Sequence, residues 1–303
     1  MPERIKITFL GTSGPVPSPT RNHTAILLTY KSENILFDCG EGTQTQFKKA
    51  QISPVKITKL LISHWHGDHV LGIPGLLQTL SFNKYNKTLE VYGPRGIEEH
   101  FKNVLRAFPS VNFGSFKIKV SEAKSKFIDE KDFLISAFPL SHGIHCNGYC
   151  FIEKDKIRID KQKLAKLKIP NTSILAKLQQ GKDISYNGKK FRAKDLTYKE
   201  AGRKICIVMD GISDPKIIDY VKNADMLIIE SSYSDEIKDL AREHGHRTAK
   251  QAAEIAKKAR VKKLILTHLS ERYDKDKSKI LNEAKKVFKN SIIAEDLKSF
   301  EVE

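Results

Sequence analysis

Short apolar runs alternate with amphipathic segments along the N-terminal half of the chain. Runs rich in Ile, Leu, Val and Phe are typical of strands, whereas apolar residues spaced three and four apart are typical of helices. The pattern predicts strands over residues 5–10, 24–30, 34–38, 57–63, 89–92, 116–120 and 133–139. It predicts helices from the glycine-rich break at 40–42 to residue 51, over 70–81, and over 96–107.

The C-terminal third repeats this alternation. Strands are predicted over residues 204–209, 225–229 and 262–267, and helices over 215–222, 248–259 and 275–288. Strands that alternate with helices indicate an α/β fold in which helices cover layered sheets. The pattern leaves open whether the strands form one sheet or two.

The composition is that of a globular chain with a sizeable core. Of 303 residues, 40% are hydrophobic and 29% are charged, which excludes a disordered chain, a fibrous repeat and a disulfide scaffold. No run approaches the ~18 apolar residues of a transmembrane helix, and the N-terminus lacks a signal peptide's apolar region. We therefore expect a cytoplasmic protein. We expect buried, reduced thiols at the four cysteines, which form no CxxC pair: Cys39, Cys146, Cys150 and Cys206.

The positive charge is concentrated in one segment. The chain has 53 Lys and Arg against 36 Asp and Glu, a formal net charge of +17. Residues 153–204 contain 16 of these basic residues and 6 of the acidic ones, a net charge of +10. A segment of this kind is either a solvated surface excursion or a basic arm that binds a phosphate backbone.

The strongest chemical signal directly follows the predicted strand at 57–63. Three histidines and a carboxylate lie within six residues, in the order His64, His66, Asp68 and His69. Imidazole and carboxylate are ligands that divalent metals such as zinc prefer. His64 and His66 can converge where the strand ends, whereas Asp68 and His69 are expected to point apart in a tight turn that Gly67 permits. One short loop could thus serve two neighbouring metals.

Four further polar residues also follow apolar runs. They are Asp38, His142, Asp210 and His268. Side chains at strand ends on one edge of a sheet are well placed to build a site. Their shared placement with the His64–His69 loop predicts one site assembled from distant parts of the chain.

An HxHxDH motif followed by a distant His, then Asp, then His resembles the metallo-β-lactamase superfamily. Within it, the chain is similar to the ribonuclease Z family of tRNA 3′-processing endoribonucleases. The similarity includes residues 9–12 with Pro17, Arg21 and Asn22, then 37–44, 63–77, 139–142 with 148–149, and 266–273. The resemblance spans essentially the whole chain and implies a four-layer αβ/βα sandwich. It also implies a single domain over 1–303, with 153–204 as an inserted flexible tRNA-binding arm.

The resemblance implies roles for individual residues. His64, His66 and His142 would bind one divalent metal, Asp68, His69 and His268 would bind a second, and Asp210 would bridge the two; zinc is the expected metal. Asp68 would also accept a proton, Asp38 would orient a ligand histidine, and Glu230 and His246 would act near the scissile phosphate. The chain reads His246-Arg247-Thr248 where the family usually has His-Ser-Thr.

The resemblance also implies precursor tRNA as the substrate, a homodimeric assembly and no membrane association. The residues expected to contact RNA are Arg21, Asn22 and basic residues of the arm such as Lys161, Lys163, Lys166, Lys168 and Lys177.

Two other functions share some of these features. A small-molecule hydrolase of the same fold, such as a thioesterase or lactonase, could use the same ligands. A non-catalytic RNA-binding protein could hold a structural metal, although such sites are usually rich in Cys. Trp65 is expected to pack against its neighbours, with stacking on a base as the alternative, and His23, His100, His145 and His244 are left without a role.

Overall fold

The computed structural model describes residues 3–109, 116–170, 172 and 174–302. The chain divides into two compact units. The first consists of Met1–Asp129, Ile135–Phe151 and Lys204–Glu303, and the second of Glu130–Leu134 and Ile152–Arg203.

The first of two seven-stranded sheets is formed by the N-terminal strands and the last strand of the chain. Its strands, numbered in chain order, are β1 (Ile5–Gly11), β2 (Ala25–Tyr30), β3 (Glu33–Phe37), β4 (Lys59–Leu61), β5 (Thr88–Gly93), β6 (Lys117–Glu122) and β18 (Ser299–Val302). They are arranged in the order β18-β1-β2-β3-β4-β5-β6. Pairing is antiparallel from β18 to β3 and parallel from β3 to β6.

The second seven-stranded sheet has the order β17-β16-β15-β14-β9-β8-β7. Its strands are β7 (Ser125–Asp129), β8 (Phe133–Leu140), β9 (Cys146–Glu153), β14 (Lys204–Val208), β15 (Met226–Glu230), β16 (Lys263–Thr267) and β17 (Ser291–Ile293). The strands from β14 to β17 are parallel. Strands β14, β15 and β16 are buried almost throughout, as strands covered on both faces should be. The predicted strands therefore lie in two large sheets and not in one, which settles the alternative that the pattern left open.

Eleven helices occur in the described residues. They are α1 (Thr43–Lys49), α2 (Gly67–Val70), α3 (Ile73–Phe82), α4 (Ile97–Ala107), α5 (Lys161–Lys166), α6 (Leu175–Gln179), α7 (Ala193–Leu196), α8 (Lys216–Val221), α9 (Lys238–Glu243), α10 (Ala249–Lys258) and α11 (Ser278–Val287). The start of α10 is fixed by a capping box between Thr248 and Gln251, which satisfies two otherwise unpaired amide groups. Among the described residues, none of these helices has the length and apolarity needed to cross a membrane.

The two sheets of the first unit pack face to face. The Tyr30 ring lies 5.4 Å from that of Phe151, and the Tyr149 hydroxyl donates to the carbonyl of Ile62 at 2.6 Å. Helices α1, α3 and α4 bury apolar side chains with the first sheet in one core cluster, and α10 packs on β15 and β16. The layers are thus helix, sheet, sheet and helix, as the resemblance implied.

Two of the four cysteines differ from the expectation. Cys150 on β9 and Cys206 on β14 form a disulfide, with their Cα atoms 4.1 Å apart. Because β9 and β14 are neighbours in the second sheet, the bond depends on a strand pairing between residues 56 apart in sequence, which cysteine spacing does not reveal. Cys39 and Cys146 are free and buried, as predicted.

The second unit is folded and has its own small core. Strand β10 (Lys156–Ile159) pairs antiparallel with β13 (Thr197–Glu200), and β11 (Ile184–Tyr186) with β12 (Lys189–Phe191). Its buried apolar residues are Leu164, Ile169, Leu175, Leu178, Ile184, Ala193 and Leu196. The longer segment of this unit is Ile152–Arg203. Both of its bounds lie one residue before those of the predicted insert, 153–204. The second unit therefore folds around apolar residues that are isolated in the sequence but meet in space. Its role as a flexible tRNA-binding arm stays a prediction.

Candidate metal centre

The predicted ligands follow the ends of strands in the first unit. His268 directly follows β16, His142 and Asp210 each lie two residues beyond β8 and β14, and His64 lies three residues beyond β4. The chain after β4 then enters the short helix α2 with Asp68 and His69. The structure brings all seven side chains together in two overlapping clusters.

The first cluster consists of His64, His66, His142 and Asp210, whose ligand atoms lie within 4.8 Å of one another. His66 Nδ1 is 3.0 Å from His64 Nε2 and 3.2 Å from His142 Nε2. His64 Nε2 is 3.7 Å from Asp210 Oδ2. His66 is exposed and His142 is half-buried, so this cluster is the one that opens to solvent.

The second cluster consists of Asp68, His69, Asp210 and His268, all buried. His268 Nε2 lies 3.1 Å from Asp68 Oδ2, 3.2 Å from His69 Nε2 and 3.3 Å from Asp210 Oδ1. Asp210 belongs to both clusters, which places its carboxylate where a bridging ligand would be.

The hydrogen bonds around the second cluster fit a metal ion. His69 Nδ1 is 2.8 Å from Asp38 Oδ2, and His268 Nδ1 is 3.1 Å from Ser232 Oγ. A histidine that donates from Nδ1 presents a lone pair at Nε2. His69 Nε2 and His268 Nε2 lie 3.2 Å apart, so as neutral rings that donate from Nδ1 they would both direct lone pairs at one cation. Among the described residues, Asp210 Oδ1 is also buried without a hydrogen-bond partner.

Asp38 holds the start of the histidine loop. Its carboxylate accepts hydrogen bonds from the Ser63 amide at 2.7 Å and the Ser63 hydroxyl at 2.8 Å, in addition to its contact with His69. Asp38 and His268 both have left-handed backbone conformations, with φ of 57° and 58°, which are costly for residues other than glycine. Gly40 is required beside them because a Cβ there would lie 2.4 Å from the carbonyl oxygen of Asp68.

The expectation that Asp68 and His69 point apart is wrong. His69 Nε2 lies 3.2 Å from Asp68 Oδ2, and both residues belong to the second cluster. They lie on α2, where successive side chains are separated by about 100° and can face the same ion from two sides. Gly67 is the first residue of this helix, where a tight turn was predicted.

The buried charges perturb one another strongly. Burial alone would raise the pKa of Asp210, but His268 and His69 lower it well below its ordinary value. Burial and the nearby His69 lower the pKa of His64. The aspartate therefore remains an anion and His64 remains neutral, which are the forms that bind metals.

Glu230 and His246 form a third group with His268. His246 Nδ1 lies 3.6 Å from Glu230 Oε1 and 3.8 Å from Asp210 Oδ2. Burial opposes protonation of His246, but Glu230 and Asp210 together raise its pKa to about 9. His246 therefore carries a proton at neutral pH.

Arg247 was not identified as a site residue from the sequence. Its guanidinium group is fully buried and donates to the carbonyl of Met209 at 2.7 Å and to Glu230 Oε1 at 3.4 Å. Its amide also donates to Glu230 Oε1 at 3.0 Å. Arg247 thus ties Glu230 to the residue that precedes Asp210. Its departure from the family's usual serine was the only signal in the sequence.

Arg21 and Asn22 make hydrogen bonds within the protein. Arg21 is 2% exposed, and its guanidinium group pairs with Asp274 and donates to the carbonyls of Leu269 and Ser270. The Asn22 side chain donates to the carbonyl of Glu41. Arg21 therefore braces the chain that follows His268, and RNA binding by Arg21 and Asn22 stays a prediction. The five predicted lysines of the second unit are all exposed.

Comparisons with known proteins agree with this architecture. A family model described as anti-Pycsar protein Apyc1 matches residues 5–174, just over half of the chain. A ribonuclease Z of Archaeoglobus fulgidus is 42% identical and is aligned over 98% of both chains. The crystal structure of the short form of human tRNase Z is 30% identical with a TM-score of 0.72, and covers 98% of this chain and 99% of its own.

The fold is also shared more widely. The metallo-β-lactamase fold protein YhfI from Bacillus subtilis has a TM-score of 0.72 at 20% identity, covering 99% of this chain and all of its own. The two-sheet architecture described above is therefore a metallo-β-lactamase fold. Neither the site nor these relatives favour the small-molecule hydrolase.

Proposed function

The chain belongs to the ribonuclease Z family, as well as to the family of the Apyc1 model, and we propose that it is an endoribonuclease that removes the 3′ trailer from precursor tRNA. The observation that carries this proposal is the pair of clusters that share Asp210, with the His246–Glu230 pair beside them. That arrangement suits hydrolysis of a phosphodiester, and the relatives named ribonuclease Z point to tRNA as the substrate.

Two divalent metal ions, most consistent with zinc, would be held by the two clusters. One ion would be bound by His64, His66 and His142. The other would be bound by Asp68, His69 and His268, and Asp210 would contribute to both sites. Such ions supply positive charge to the phosphate oxygens and lower the pKa of water. The mixed His and Asp ligand set suits zinc but also accepts manganese or iron.

The chain's own residues would then move the protons. Burial would raise the pKa of Asp68, but His69 and a hydrogen bond from His268 lower it, so its carboxylate is available to orient or accept a proton from the attacking water. His246, protonated beside Glu230, would donate a proton to the departing 3′ oxygen. The products are a tRNA with a 3′ hydroxyl and a trailer with a 5′ phosphate.

The second unit would bind the tRNA body. Its exposed lysines, among them Lys161, Lys163 and Lys177, suit contacts with phosphates, which dominate affinity for a folded RNA. In this proposal residues 152–203 serve as the tRNA-binding insert of a single catalytic domain. The protein would work as a homodimer, as the family resemblance implies.

The proposal is tested by incubating the zinc-loaded protein with a precursor tRNA that carries a 3′ extension and separating the products on a gel. A single cut directly 3′ of the discriminator base, with a 3′ hydroxyl on the tRNA, is expected. Binding without cutting would instead support a non-catalytic RNA-binding protein. Elemental analysis of the same sample should give two metal ions per chain.

The role of His246 is tested separately with His246→Ala. Removing a general acid is expected to slow turnover roughly 100- to 10,000-fold while two metals per chain remain bound. Loss of one metal in this variant would show instead that His246 is a ligand. Lys238→Ala, at an exposed position of α9, provides a control on the same part of the fold.

A further inference from the structure

Two adjoining cavities of the first unit open beside the first cluster. The inner cavity, about 700 Å³, is lined by His66 and His142 together with Trp65, Arg95 and His100 among others. The outer cavity, about 640 Å³, shares Arg95 and neighbouring residues with it and extends along the chain that carries Lys124 and Lys126. We call the two together the cluster groove. The inner cavity borders the first cluster, and the two cavities have Arg95 and His145 in common.

The inner cavity contains a stacked aromatic pair that the proposed chemistry does not use. The rings of Trp65 and His100 lie 5.0 Å apart with only 13° between their planes. Trp65 is half-buried against the core cluster, so its position is fixed, whereas His100 is exposed on α4. Trp65 therefore packs, as the sequence analysis expected, and also supports a ring that faces solvent within reach of the first cluster.

The charges along the groove have one sign. Arg95, Lys124 and Lys126 are exposed, and no Asp or Glu is among the described residues that line either cavity. Glu122 and Asp129 pair with the two lysines from the flank, and Glu122 also interacts with Arg95, so these five groups carry one excess positive charge. A positively charged path with aromatic rings on which bases can stack is typical of sites that bind single-stranded nucleic acid.

We propose that the cluster groove binds the single-stranded 3′ trailer of the substrate, with the trailer base next to the cut extending the Trp65–His100 stack. This inference rests on the proposed function. The double-helical acceptor stem presents paired bases along a broad A-form helix, which suits a surface rather than a chain of cavities. A single-stranded trailer would present its bases and phosphates singly, which suits two adjoining cavities. The inner cavity is lined by His66 and His142 and not by Glu230 or His246, the pair proposed to act at the oxygen that stays with the tRNA.

The first test uses the intrinsic fluorescence of the protein, since Trp65 is its only tryptophan. The zinc-loaded protein is titrated with a 5′-phosphorylated hexaadenylate, which represents the released trailer. Saturable quenching is expected, and it should be much weaker with a 5′-phosphorylated chain of six abasic sugar phosphates. Equal quenching by both would show that phosphate alone is recognised and would overturn the stacking.

The second test measures cleavage of precursor tRNAs whose trailers are one, three and eight nucleotides long. In the wild type, KM should fall as the trailer lengthens. His100→Ala should raise KM for the eight-nucleotide trailer by roughly tenfold, the value of one stacked base, and flatten the dependence on length while kcat changes little. Lys102→Ala, exposed on the same helix and outside both cavities, should match the wild type.

The outcomes separate this inference from the function on which it rests. Cleavage with an unchanged dependence on trailer length in His100→Ala overturns the groove assignment and leaves the nuclease intact. Altered preference for the discriminator base, with the length dependence retained, would place the tRNA end in the groove and overturn the proposal. Absence of cleavage by the wild type, with normal quenching by hexaadenylate, would contradict the proposed function.

Discussion

The metal centre and the second unit differ in what holds their functional residues in place. Five of the seven cluster residues are buried, namely His64, Asp68, His69, Asp210 and His268, and their ring and carboxylate atoms are fixed by hydrogen bonds to one another and to Asp38 and Ser232. The five predicted lysines of the second unit are exposed. They supply positive charge, which does not depend on one fixed position of the side chain. In the proposed function, hydrolysis would depend on a few buried atoms, whereas tRNA binding would depend on the sum of many exposed lysines.

This contrast predicts all-or-none effects in one region and graded effects in the other. A buried ligand has no substitute, because its neighbours are arranged around one position. An exposed lysine adds to a long-range attraction that its neighbours also supply. Each variant below tests one side of that contrast.

The largest effect is expected for Asp210→Ala. Its carboxylate is the only group shared by both clusters among the described residues, so its removal should reduce bound metal to one ion or fewer per chain. Turnover should fall on the order of a thousandfold or more, because both ions stabilise the same transition state. Elemental analysis and single-turnover cleavage measure the two effects together. Asp219→Asn, an exposed carboxylate on α8, should change neither.

A graded effect is expected for replacing Lys161, Lys163 and Lys166 with Ala together. KM for precursor tRNA should rise roughly 10- to 100-fold, and the salt dependence of binding should weaken, because fewer counterions are released. Cleavage of bis(p-nitrophenyl) phosphate, which has no tRNA body to bind, should not change. The reverse pattern, with equal losses on both substrates, would place the lysines in the catalytic step.

The matched control removes three exposed lysines of the first unit, Lys257, Lys258 and Lys286. It changes the net charge by the same amount. If it weakens tRNA binding as much as the triple variant in the second unit, net charge and not the second unit is responsible.

The sequence predicted the metal centre more fully than the second unit for a physical reason. Strands covered on both faces are continuous apolar runs, so their ends are visible in the sequence, and polar residues at those ends can be recognised as neighbours. The second unit has short elements and a core of residues that are isolated in the sequence, such as Leu164 and Leu178. Its Asn187-Gly188 turn, with both residues at positive φ, is a strong hairpin signal that was missed.

Two features of the first unit could not be predicted because they depend on tertiary contacts. The burial of Arg21 requires Asp274 and two carbonyls far along the chain. The role of Arg247 requires knowing that Glu230 and Met209 meet its guanidinium group. A charged residue in a sequence gives no indication of whether its partner is solvent, RNA or a buried carboxylate.

The smallest effect on catalysis is expected from removing the disulfide with Cys150→Ala and Cys206→Ala together. The same change should reduce stability substantially. The bond closes a loop of 56 residues that contains residues 152–203, so it restricts the unfolded chain across the whole second unit. Loop-closure entropy predicts a loss of about 4 kcal/mol in the free energy of unfolding, whereas kcat should remain unchanged because the clusters are held by their own hydrogen bonds.

Thermal unfolding followed by circular dichroism, with and without dithiothreitol, measures the loss. Reductant should lower the melting temperature of the wild type to that of the double variant and leave the variant unaffected. If kcat falls together with stability, the two regions are coupled through β9 and β14, and the contrast between a geometric centre and an independent charged unit does not hold. If the variant melts in two transitions, we assign the lower one to residues 152–203, because the missing disulfide enclosed that segment of the chain.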